Sequence, residues 1–310
     1  MSSEIAPASP AKMLIDRIEC VVGVDVGRNI SALSAAARGG LWRAASDLAA
    51  AQPCCVGLVT GFFVPMGSPA AAETDGPAGA ALLARGLAEI GISCRLATDE
   101  LCHNACAVAL AAAGAPDVPI DGVAIDAPLD ALVVTWRAAG ITHAVSIERC
   151  GRSTDGTPRN MRGQDITAYT APLDDLFAAG PWATIAIGDG GNEIGMGALP
   201  RRLISDHIEH GETIACITPA DHLIVTGVSH WGAYALLGAL AVIREDWRRP
   251  LLQCLDPVLD RQILEVMLRD GPAVDGISRR QTLTIDGFDL GFHHEKLRRM
   301  RALAESEHDL

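Results

Sequence analysis

Lysine is nearly absent from the sequence: only Lys12 and Lys296, each near a terminus, stand among 310 residues. A Schiff-base lysine or a phosphate-loop lysine in the body of the fold is thereby excluded. Aromatic residues make up 4 % of the chain, too few for the stacking platforms that grip single strands or sugars. Positive charge is also scarce. The 25 basic side chains face 38 acidic ones for a net charge of −13, so no nucleic-acid partner is expected. The longest apolar run free of charge, Trp231–Ile243, has 13 residues, whereas a bilayer span needs roughly 20. No membrane partner is expected either. The sequence lacks CxxC, HExxH and GxSxG patterns and, at its start, the apolar stretch of a signal peptide. Nine scattered cysteines, an odd number, therefore read as reduced thiols of a cytoplasmic protein.

What is present is the composition of a globular chain, 49 % hydrophobic and 20 % charged. Residues 1–12 read as a disordered polar tail and 13–310 as a single α/β domain; a homo-oligomer is compatible with the sequence. Strand-length apolar runs at Cys54–Gly61, Ile92–Ala97, Ala144–Ile147, Thr184–Ile187 and His222–Thr226 alternate with helical patterns. The helical patterns cover Ser31–Ala51, Gly79–Ile90, Asn104–Ala113, Leu129–Ala139, Leu199–His210, Trp231–Asp246, Val258–Arg269 and His294–Glu305. This alternation predicts a mostly parallel, Rossmann-like sheet flanked by helices, with its ligand site at the carboxyl ends of the strands. One long connection, Arg149–Ala171, is rich in glycine and arginine. Its part Gly151–Gln164 reads as a lid that brings Arg152, Arg159 or Arg162 over an acidic ligand.

Each strand is followed by polar or acidic residues. The first is followed by Thr60-Gly61 and then Asp75; later ones lead into Glu148-Arg149, the segment GDGGNEIGMG (Gly188–Gly197) and Ser229-His230. The glycine segment carries the most information. Its glycines allow close backbone approach, the amides of Gly190 and Gly191 can face an anion, and Asp189 and Glu193 can act as acid, base or metal ligands on one side of a helix starting there. It is neither a dinucleotide fingerprint nor a phosphate loop, since no GxGxxG or GK[ST] fits. Cys102 and Cys106 read as buried small hydrophobes, and His207 and His210 as a solvated helix face.

The strings IAIGDGGNEIGMG (Ile185–Gly197), TGFFVP (Thr60–Pro65), AETDGPAGAALLARGL (Ala72–Leu87), IERCGRSTDGTPRNMRGQDIT (Ile147–Thr167) and VTGVSHWGAYAL (Val225–Leu236) resemble the C-terminal domain of the D-glutamate cyclase family. Ile18–Leu33, with Asp25-Val26-Gly27-Arg28, is similar to the start of that domain. The long members carry a further N-terminal domain, and this chain resembles the stand-alone bacterial form. The resemblance implies a hydro-lyase that converts D-glutamate, a small acidic amino acid, to 5-oxo-D-proline.

Lactam closure needs a folded substrate, loss of ammonium protons and protonation of departing hydroxide. Side-chain chemistry offers Asp189, Glu193 or Glu148 for proton transfer and His230 as donor to the leaving oxygen. Arg149, Arg162 and the amides of Gly190 and Gly191 are candidate carboxylate binders, with Thr60, Gly61, Asp75, Asn192 and Ser229 around them. No organic cofactor is expected. Glu148, Asp189 and Glu193 are instead candidates to share a Mg²⁺ or Mn²⁺. A metal-dependent enzyme acting on a nucleotide or phosphate, or a non-catalytic ligand-binding module, are the alternatives.

Overall fold

In the computed structural model, which describes residues 9–306, the apolar runs pair into one six-stranded, wholly parallel sheet. Its strands are β1 (Cys55–Thr60), β2 (Ser93–Asp99), β3 (Ile120–Val123), β4 (His143–Ile147), β5 (Ala183–Gly188) and β6 (His222–Val225). Their order is β3-β2-β1-β4-β5-β6. Sequence reading anticipated five of these; β3, a short and half-polar edge strand, gave no apolar signal. The order reverses between β1 and β4, where neighbouring crossovers leave on opposite faces and open a crevice.

Both faces of the sheet are buried, which is why the strands read as continuous apolar runs. Leu58, Leu96, Val145 and Ile187 face one core layer, and Val59, Ala97, Ala144 and Ala186 face the other. On the second face small residues make room for tryptophan. A Cβ on Gly57 would lie 2.2 Å from Trp136 Cζ3, so only glycine lets that fully buried ring rest on β1.

The helices are α1 (Pro10–Val22), α2 (Ser31–Ala37), α3 (Gly40–Ala50), α4 (Asp75–Glu89), α5 (His103–Ala113), α6 (Asp130–Ala138), α7 (Leu173–Ala178), α8 (Arg201–His207), α9 (Gly211–Ile214), α10 (Ser229–Ile243), α11 (Glu245–Cys254), α12 (Pro257–Asp270) and α13 (Leu290–Glu305). The charge-free run is α10, buried along nearly its whole length and packed on α4. No helix among the described residues is long and apolar enough to cross a membrane.

Several boundaries differ from the sequence reading. Of the expected tail, residues 1–8 lie outside the described residues, whereas Pro10–Lys12 form the first turn of α1, capped by Ser9 Oγ. The expected helix Ser31–Ala51 breaks at Gly39, whose φ of +80° no helix accommodates. No helix starts in Gly188–Gly197; the segment is a run of turns, and α8 begins only at Arg201. Nine free cysteines are present, with Cys102 and Cys106 buried.

Candidate active site

Parallel strands that end together bring Thr60, Asp99, Glu148, Asp189 and Thr226 to one edge of the sheet. The amino end of α10 points into this edge. Its first amides are donors without helical partners, and two carboxylates take them. Ser229 N donates to Asp189 Oδ2 at 3.0 Å and to Asp75 Oδ2 at 3.1 Å, and His230 N donates to Asp75 Oδ1 at 2.6 Å. Ser229 Oγ donates to Glu148. Glu148 itself has φ +45°, a left-handed conformation rare for a residue with a side chain.

The glycine segment is the second anion-binding device in the site, and it is also filled from within. Glu193 turns back and accepts from Gly190 N and Gly191 N, both at 2.7 Å, and from Asp189 N at 3.2 Å. The amides expected to face a substrate carboxylate thus face Glu193. Glu193 in turn closes the loop that aims Asp189, so its placement is that of a buried brace. The loop is pinned to the exit of β4 by Ile194 N donating to Arg149 O at 2.8 Å and Gly151 N to Asn192 O at 2.9 Å.

Arg28, from the turn after α1, reaches the floor of the site. One guanidinium nitrogen pairs with Asp189 and the other with Asp286 at 2.6 Å. Asp286 occupies a tight Asp-Gly hairpin turn with φ +53° and leaves Oδ2 buried without a partner. Glu73 closes the other side, and Gly276 abuts it so tightly that a Cβ there would lie 1.8 Å from Glu73 Oε1. Against Glu73, Asp75, Glu148, Asp189 and Asp286, all buried, this cluster sets one guanidinium.

A cavity of about 290 Å³ opens above this floor. Glu73, Glu148, Asp189 and Arg28 line its base, while Arg162, Arg279, Asn160, Gln164 and Asn192 line its sides. Of the expected lid arginines, Arg162 alone lines the cavity. Arg152 is held by Asp174 and Asp175, and Arg159 pairs with Asp155.

Several expected site residues lie elsewhere. Arg149, 1 % exposed, donates to Asp99, to Gly61 O at 2.7 Å and to Ala171 O at 2.6 Å, and so ties three strand ends together without lining the cavity. Thr60 Oγ1 donates to Ile147 O at 2.7 Å. His230 sits behind Asp75, its Nδ1 3.3 Å from Asp75 Oδ1, among Tyr234 and His293 and away from the cavity. Glu148, Asp189 and Glu193 do meet, with one oxygen of each within 4.8 Å of the others, as do Asp75, Asp189 and Asp286. In the first trio, however, both Glu193 oxygens face amides and Asp189 faces Arg28 and Ser229. That donor set does not fit a Mg²⁺ or Mn²⁺ ion without rearranging the loop. Arg28, Glu73, Arg279 and Asp286 are not among the expected site residues, although Glu73 belongs to the polar segment that follows the first strand and Arg28 to a family-like string.

Burial pushes Glu148 well above the usual carboxylate range, with Asp189 and Glu193 adding to the shift. It does the same to Glu73, beside Asp286 and Asp75, and to Asp189 against the opposing pull of Arg28. Asp286 is lifted by burial to about 6, again against Arg28. Carboxyl groups this close and this dry cannot all be ionised, so the floor holds protons or attracts a cation. A carboxyl with a raised pKa binds its proton more tightly in the folded state. Its contribution to stability is complete below the unfolded value near ~4 and is lost as pH rises through the folded value. For Asp286 that window runs from the ordinary range to about 6. Asp286→Asn is therefore expected to gain on the wild type as pH rises from 4.5 to 6.5, by on the order of 1–3 kcal/mol. Thermal unfolding across that range checks it; a difference in Tm that does not vary with pH would contradict it.

Residues 18–301 match the family described as D-glutamate cyclase-like, C-terminal. The chain is 32 % identical over 248 residues to the human protein named D-glutamate cyclase, mitochondrial; the match covers 75 % of this chain and 39 % of that relative. The chain thus spans well under half the length of the relative it matches.

Proposed function

The chain belongs to the D-glutamate cyclase-like, C-terminal family, and from that premise and the charge layout of the cavity we propose that it closes D-glutamate to 5-oxo-D-proline with loss of water. One observation carries the reading: a buried floor of five carboxyl groups holds a single guanidinium, that of Arg28, while both backbone devices able to bind an anion there are already filled by Asp75, Asp189 and Glu193. A ligand entering base first must bring a cation. An ammonium meets that need, and a phosphate does not, which favours an amino acid over a nucleotide. Arg162 and Arg279 on the sides then take the α-carboxylate.

In this reading the incoming ammonium lowers the pKa of Glu148, which becomes the carboxylate that takes the ammonium proton. Asp189, held by Arg28, keeps the nitrogen in place. Burial pushes the Glu73 carboxyl up, and in its protonated form it can hydrogen-bond the γ-carboxylate and protonate the departing oxygen. The nitrogen attacks the γ-carbon, a C–N bond forms and a C–O bond breaks. Two protons leave nitrogen and two arrive on the oxygen that departs as water. Two carboxyl groups in opposite protonation states supply this exchange, and holding the folded substrate supplies several kcal/mol more. His230 acts only through Asp75. No step is routed through Mg²⁺ or Mn²⁺.

The test is formation of 5-oxo-D-proline by the purified chain from D-glutamate, with Mn²⁺ or with a chelator. The expected result is turnover in both. Absence of product in both would refute the reaction, and product only with Mn²⁺ would refute the metal-free proton exchange.

A further inference from the structure

The base of the cavity is charged, but one wall of its mouth is apolar. Phe62, Val64, Pro65 and Met66 line one side, and Met161 and Ile277 stand near them. Met66 is 67 % and Ile277 52 % exposed, among the most exposed large hydrophobic side chains of the described residues. Phe62 and Val64 are backed by Val274 and Ala71 in a small cluster of their own, so this wall is built rather than incidental. Single exposed hydrophobics need no account, whereas a contiguous apolar wall that continues a polar pocket marks the place of an apolar ligand group.

Free glutamate has no such group. Its ammonium and two carboxylates are satisfied by the floor and the arginines, and its ~10 non-hydrogen atoms underfill a cavity near the ~300 Å³ at which drug-sized ligands are held. On the basis of the reaction proposed above, we propose that the site also takes γ-amides of D-glutamate with apolar amines, closing the lactam and releasing the amine. The chemistry is easier than with the free acid, because a neutral amide carbonyl is a better electrophile than a carboxylate. The α-nitrogen attacks the γ-carbonyl carbon, the ring C–N bond forms, and the exocyclic C–N bond breaks. Two protons leave the α-ammonium by way of Glu148 and two arrive by way of Glu73 on the expelled nitrogen, which departs as an ammonium, with no water consumed or produced. The apolar wall holds the substituent of that amine until it leaves.

The experiment compares the γ-benzylamide and the γ-methylamide of D-glutamate, whose leaving amines differ mainly in apolar bulk. Released amine and 5-oxo-D-proline are both measured, and D-glutamate is assayed alongside. The benzylamide is expected to show a kcat/KM roughly tenfold or more above the methylamide, mostly through KM, with the two products in equal amounts. Met66→Ser with Ile277→Ser, both at exposed positions, should erase most of that advantage. Equal kcat/KM for the two amides, an advantage that survives the double substitution, or benzylamine released together with free D-glutamate would each overturn the proposal. If D-glutamate is cyclised and neither amide reacts, this inference fails and the dehydrating reaction stands. If the amides are cyclised and D-glutamate is not, the inference stands and the dehydrating reaction falls. No product from any of the three would overturn both.

Discussion

Glu148→Gln is expected to lower cyclisation of D-glutamate by roughly 10²–10⁴-fold while leaving Tm unchanged or raised, an outcome opposite to that of an ordinary core substitution. Glutamine keeps an oxygen to accept from Ser229 Oγ, so the local hydrogen bond survives. What it loses is the ability to take a proton. Because burial pushes the Glu148 carboxyl well up, its ionised form is a cost to the folded state, and a neutral amide removes that cost. Sites kept for chemistry store strain of this kind, and the left-handed backbone at Glu148 is a second sign of it. Steady-state turnover and thermal unfolding of the same preparation decide the matter. A fall in both activity and Tm would make Glu148 a structural residue.

The second large effect concerns stability alone. Asp99→Ala leaves the Arg149 guanidinium, 1 % exposed, without its counter-charge and removes the acceptor of Ala171 N, 2.7 Å away. Breaking a buried ion pair from one side costs about 3–5 kcal/mol, or roughly 5–15 °C in Tm for a chain of this size. Replacing both partners, Asp99→Leu with Arg149→Met, should recover much of the loss because no buried charge is then stranded. Since neither side chain lines the cavity, the folded double variant is expected to retain turnover within about tenfold. A stable but inactive double variant would return Arg149 to the role of substrate binder that its position after β4 suggested.

Arg149 shows where sequence reading stops. Its neighbour Glu148 and the strand before it placed both residues at the right edge of the sheet. Both lie just past the strand, however, where the left-handed backbone at Glu148 redirects the chain without a signal in the sequence, and the partner that captures Arg149 is 50 residues away at the end of β2. The parallel sheet was legible because buried strands are continuous apolar runs, as were Glu148, Asp189, Asn192 and Arg162 at the cavity. Glu193 was legible as important but not as a brace, since a carboxylate folding back onto three amides looks in sequence like one facing a ligand. Asp286 carries only the signal of its Asp-Gly turn, a hairpin mark, and nothing local says that the hairpin docks against Asp189. Helix α11 was missed because Pro250 and paired arginines break the apolar pattern.

The most direct test of the central claim, that an acidic floor receives the ammonium of an acidic amino acid, is a crystal structure of the Glu148→Gln variant soaked with D-glutamate. The account predicts the ammonium within hydrogen-bond distance of Asp189, the α-carboxylate on Arg162 or Arg279, and the γ-carboxylate against Glu73. D-glutamate bound with a carboxylate, rather than its ammonium, against Asp189 and residue 148, or occupying the apolar mouth alone, would contradict it.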